Sequence, residues 1–122
     1  MKNIYLNIYK PNSINLKKAK KNVEGNNIIG LPTETVYGLA GNAYSDKSVK
    51  KIFDLKRRPA INPLIVHFKN LTNLKKDAIC NDSFIKLYKV LCPGPITFIL
   101  KKNTKSKISK IATAGKQTIA VR

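Results

Sequence analysis

Lys56 and Arg58 stand two apart at the end of a helical stretch, directly before Pro59. Proline forbids the helix to continue, so both side chains leave the helical register and enter a loop. There they could converge on a polyphosphate, the arginine as a fork and the lysine as a point charge. The competing reading is that basic residues at a helix C-terminus complement the macrodipole and stay solvated. His67 is the single histidine, set among aliphatics in a strand pattern, LIVHF. It could be a ligand-binding imidazole or a hydrogen-bonded core residue. With no second histidine, a metal site there would need carboxylates that the chain barely has, and no metal site is expected. Thr33, Glu34 and Thr35 bring two hydroxyls and a carboxylate to a strand end, where they could bind a ligand or simply form a turn.

Other chemistries lack their signatures. The glycines at 38 and 41 form neither GxGxxG nor GxxxxGK[ST], so the two common phosphate loops are absent. There is no GxSxG elbow and no suitably spaced carboxylate pair. Cys80 and Cys92, the only cysteines, read as two small apolar core residues, neither a disulfide framework nor a nucleophile.

These residues belong to a chain of 122 with formal net charge +18. That length fits one domain, 1–122, with a real core, and 43% hydrophobic residues exclude a disordered basic tail. Arginine occurs only at 57, 58 and 122, so lysine supplies nearly all the charge. Such a surface attracts ATP, phosphate and RNA non-specifically and with strong salt dependence. No apolar run is long enough to span a membrane, and the N-terminus does not read as a secretory signal, so the expected compartment is the cytoplasm.

The pattern of elements places the candidates. Ile4, Leu6 and Ile8 alternate like a half-buried strand. Ser13 can cap a helix over about 14–24, closed by Gly25. A short strand over 26–31 ends at Pro32 and runs into the Gly-bearing turn TETVYGLAG. Ser45 or Asp46 can cap a second helix to about Lys56, and a strand follows over 64–68. After a Lys/Asn-rich loop, Asp82 or Ser83 caps a third helix, broken at Cys92-Pro93-Gly94-Pro95. Strands over 96–100 and 118–122 flank a polar, mobile stretch, 101–110. Strands interspersed with helices predict an α/β (strictly α+β) fold, one layer of sheet with helices on it.

Taken together, four segments carry more than any one motif. LPTETVYGLAGNA at 31–43, KRRPAINPLIVH at 56–67, CPGPITFIL at 92–100 and TIAVR at 118–122 resemble the YrdC (TsaC) family, in register over about residues 15–122. The resemblance implies a twisted mixed sheet flanked by helices, with one deep, positively charged cavity. It implies an L-threonylcarbamoyladenylate synthase, a nucleotidyltransferase that makes threonylcarbamoyl-AMP and pyrophosphate from L-threonine, bicarbonate or CO2, and ATP. The product serves threonylcarbamoyladenosine modification of tRNA through a TsaD-type transferase. By motif match Thr35 and His67 would contact threonine and Arg122 its carboxylate. Lys56, Arg58, Asn62 and Thr118 would hold the ATP phosphates and their surroundings, Lys56 and Arg58 as the catalytic cations, with Mg²⁺ assisting. No enzyme nucleophile is required.

Family domains continue past the VR strand through a VP-containing turn, a hydroxyl-rich strand and an SxN motif. The sequence ends on Arg122, so the domain is expected to be C-terminally incomplete and poorly active by itself. Two other readings compete: a basic module that binds double-stranded RNA or tRNA without catalysis, and the YrdC-like domain of a carbamoyl-transferring hydrogenase-maturation protein. Against the latter stands the absence of acylphosphatase and zinc-finger-like segments before residue 15.

Overall fold

The computed structural model describes residues 7–122. Helix α1 (Ser13–Glu24) leads into the antiparallel pair β1 (Ile29–Leu31) and β2 (Gly38–Ala40), and α2 (Asp46–Lys56) follows. Then come β3 (Ile65–Val66), α3 (Leu71–Asp77), α4 (Asp82–Leu91), β4 (Phe98–Lys101) and β5 (Thr118–Val121). The second sheet has the order β3-β5-β4, with β3 parallel and β4 antiparallel to β5. The sheet is therefore mixed, as expected, but the single layer is two separate hydrogen-bonded sheets. Among the described residues no helix is long and apolar enough to cross a membrane.

One core serves both the helices and the larger sheet. Val49 and Phe53 of α2, Val66, Leu74, Ala78, Phe84, Ile119 and Val121 are buried together. Phe84 meets Phe98 edge-on at 5.1 Å between ring centroids, a geometry that favours aromatic pairs beyond their burial. Gly41 closes the approach of β2 to α2, because a Cβ there would collide with Ser48 Oγ. Ser48 is fully buried and accepts from the Asn42 N–H at 3.0 Å.

One expectation falls where nothing tests it, and others need correction. The strand proposed around Ile4 and Leu6 lies outside the described residues. Three of the four helix starts are set by asparagine: Asn12, Asn70 and Asn81 each accept from the N–H three residues on. The caps of α1 and α4 are therefore Asn12 and Asn81, not Ser13, Asp82 or Ser83, while Ser45 caps α2 as expected. An Asx side chain is as good a cap as serine, and the Asn-rich composition hid it. Helix α3 falls where a loop was expected, since five of its seven residues are polar or charged and only Leu74 and Asp77 are buried. Gly38–Ala40, read as a turn, is a strand.

The stretch 101–110 is not a mobile polar loop. Ile108 and Ser109 are 3% and 4% exposed. Ser106 donates to Asp77 at 2.7 Å and Ser109 to Asp46, while Tyr44 donates to the other Asp77 oxygen at 2.6 Å. Two aspartates thus pin the segment to α2 and α3. Burial and this bond to Asp77 push the Tyr44 hydroxyl up to about 12.

Candidate active site

One wall of the site is made by the way α2 ends. Arg57 adopts the left-handed conformation, φ 48°, and the Arg58 N–H reaches back to the Phe53 carbonyl at 3.0 Å. That is a Schellman-type closure, usually given to glycine. The helix stops two residues before Pro59, and the reversal carries Lys56 and Arg58 into the lining of one cavity of about 760 Å³. Arg58 is further fixed from behind: Nε donates to the Asn62 carbonyl at 3.1 Å and Nη2 to the Pro63 carbonyl at 2.8 Å. Asn62 itself is not part of the cavity lining; its backbone oxygen orients the arginine that is.

A second part of the lining comes from the end of the β3–β5 pair. Arg122 continues the pairing, its N–H donating to the Val66 carbonyl and its own carbonyl accepting from Phe68, both at 3.0 Å. Parallel pairing therefore brings Arg122 beside His67, and both line the cavity with Thr35. The Arg122 guanidinium sends Nε and Nη2 to Thr97 Oγ1, at 3.2 and 2.9 Å, and Nη1 to Thr35 Oγ1 at 3.2 Å. Glu34 lies 3.5 Å from the same Nη1. Its carboxyl is held below the usual range, first by its own backbone N–H and then by His67 and Arg122.

Five of the seven sequence candidates, Thr35, Lys56, Arg58, His67 and Arg122, thus border one space. Asn62 supports Arg58. Thr118 sits at the far end of β5, opposite Lys101, and is not in that lining. His67 is exposed, not a core histidine. The cysteines are free and half-buried, less deeply placed than core residues, and burial raises both thiols; protonated thiols are poor nucleophiles.

Sequence reasoning missed Thr97, whose hydroxyl holds Arg122. It also missed Lys69, Asn73 and Lys76, which line the cavity from α3 and its approach. The signal for Thr97 was present in the polar residue of ITFIL; α3 was masked by its composition. Among the described residues no group of three or more His, Cys, Asp or Glu could hold a metal ion.

Residues 21–122 match the Sua5_yciO_yrdC family, described as telomere recombination. The chain belongs to this family. All four motif segments, from 31–43 to 118–122, fall inside the matched region. Over 98 residues the chain is 42% identical to the threonylcarbamoyl-AMP synthase of Pyrococcus abyssi, which covers 78% of this chain and 28% of that protein. Over 112 residues it is 37% identical to the Bacillus subtilis enzyme of the same name, covering 91% of this chain and 32% of that one. The fold is similar to that of P. abyssi Sua5 complexed with L-threonine, with TM-score 0.86 and 35% identity over 93% of this chain and 33% of that chain. The chain thus spans about a third of these Sua5-family relatives.

Proposed function

We propose that the protein forms L-threonylcarbamoyladenylate from L-threonine, bicarbonate or CO2, and ATP. The observation that carries this reading is that two sets of cationic residues border one cavity. Arg122, with Thr35 and His67, would bind a carboxylate, and Lys56 with Arg58 would bind a polyphosphate. The similarity to a Sua5 chain complexed with L-threonine supports the choice of amino acid.

On this reading the threonine amine takes up CO2 to give a carbamate. A carbamate oxygen attacks the α-phosphorus of ATP, the bond from that phosphorus to the bridging oxygen breaks, and pyrophosphate leaves. Negative charge grows on the phosphoryl oxygens as this happens, and Lys56 and Arg58 stabilise it. Arg122 fixes the carboxylate so that the amine stays in reach, a positioning effect that can supply several kcal/mol. Mg²⁺ would enter this scheme as the counter-ion that the triphosphate brings with it. Asn62 acts through Arg58, and Thr118 is assigned to the surroundings of the nucleotide.

The product feeds tRNA threonylcarbamoylation by a TsaD-type transferase in the cytoplasm. The test is pyrophosphate release from ATP that requires both L-threonine and bicarbonate. Release that ignores threonine or bicarbonate refutes the proposal. A second reading rests on the +18 charge: a module that retains tRNA or double-stranded RNA through phosphate contacts. It predicts salt-sensitive RNA retention with no pyrophosphate.

A further inference from the structure

Of the six carboxylates in the chain, five are engaged away from the cavity. Glu24 and Asp54 pair with lysines one turn back on α1 and α2. Asp46 and Asp77 accept from serines of the segment after β4, and Asp82 stands in the first turn of α4. Glu34 is the exception, with Oε2 3.5 Å from Arg122 Nη1. The two partners are unequal. Arg122 is held on three nitrogens by hydroxyls and its side chain is 12% exposed, whereas that of Glu34 is 35% exposed. Glu34 also borders a smaller cavity of about 200 Å³, shared with His67 and Arg122, so it has room to move.

We propose that Glu34 is a displaceable stand-in for the ligand's carboxylate. It partly neutralises Arg122 in the free protein and leaves when an amino-acid carboxylate arrives. This rests on the reading that Arg122 grips that carboxylate. A fixed, largely enclosed guanidinium without an anion is costly, so some counter-charge is needed before the ligand comes. The 3.5 Å separation is longer than the roughly 2.7–2.9 Å of a tight charge-assisted bond, which suits a partner that must let go. Ligands without a carboxylate cannot make the exchange, so Glu34 also sharpens selection for amino acids.

Isothermal titration calorimetry of the protein with L-threonine and with L-threoninol, whose carboxylate is reduced to an alcohol, tests this. Glu34→Gln should bind L-threonine about three- to fivefold more tightly, the scale of an exposed ion pair, and L-threoninol no differently. The gain should vanish when Arg122→Ala is added. Unchanged or weaker threonine binding by Glu34→Gln overturns the proposal, and weaker binding of both ligands assigns Glu34 to the amine instead. Failure of the underlying reading shows separately: Arg122→Ala alone would bind L-threonine as well as the unsubstituted protein. No heat from L-threonine in any variant refutes both.

Discussion

Arg58→Ala removes a guanidinium that does two jobs, and the two can be measured apart. Toward the protein, Nε and Nη2 donate to the carbonyls of Asn62 and Pro63 at 3.1 and 2.8 Å. Losing both should cost about 1–3 kcal/mol, since charged donors contribute well but the site is half open to water. For a chain of this size that is a fall of about 4–12 °C in Tm. Toward the ligand, neither bond uses Nη1, which remains for a phosphate oxygen. Withdrawing one donor from growing negative charge costs on the order of 2.7–4 kcal/mol, or about 10²–10³ in rate. The assay is threonine-dependent pyrophosphate release, run well below the lowered Tm and normalised to folded protein by circular dichroism. Arg58→Lys keeps the charge without the fork and should recover only part of the rate. Folded Arg58→Ala turning over within about threefold of the unsubstituted protein would refute the placement of this side chain on the phosphates.

Three further outcomes follow from the geometry. Thr97→Val removes the acceptor shared by Nε and Nη2 of Arg122; calorimetry should show threonine binding weakened about three- to tenfold with ATP binding unchanged. Gly41→Ala forces a Cβ against Ser48 Oγ and should lose about 1–3 kcal/mol in urea unfolding. Tyr44 has its hydroxyl raised from 10.0 to about 12, so its contribution is complete below pH 10 and is lost as pH rises to 12. Because Tyr44 is more than half exposed, the full linkage value must be discounted. The protein should lose about 1 kcal/mol more stability than Tyr44→Phe over that interval.

The sequence showed most of this site and less of its scaffold, for physical reasons. Lys56 and Arg58 stood out by their spacing before Pro59, but only the motif resemblance favoured a ligand over a solvated helix end, and Arg122 was assigned by that resemblance alone. That Lys56 and Arg58 face one cavity depends on Arg57 accepting a left-handed backbone, which side-chain type does not announce. His67 followed an aliphatic run, but whether it faced core or cavity was decided by the parallel register of β3 on β5, a long-range pairing. Thr97 gains its meaning only from a guanidinium 25 residues away. The 101–110 stretch looked polar and free because its anchors, Asp46 and Asp77, lie far off in sequence. Helix α3 has too few buried residues to print a period.

The choice of acceptors around the arginines fits the work proposed for them. Thr97 and Thr35 hydroxyls hold Arg122, and the carbonyls of Asn62 and Pro63 hold Arg58. Neutral oxygens fix direction without cancelling charge, whereas a tight carboxylate partner would fix direction and spend the charge as well. Two anionic ligands meeting in one cavity repel each other, so the cations that hold them must have no partner that cannot be displaced; Glu34, 3.5 Å from Arg122 Nη1, is loose enough to give way. Surface lysines can draw anions in but cannot orient them, because each is a hydrated point charge on a flexible stem. Salt should therefore slow capture of ATP far more than it disturbs the arginine forks. A loss of turnover at saturating ATP and threonine, equal to the loss of ATP capture on adding salt, would contradict this division between attraction and orientation.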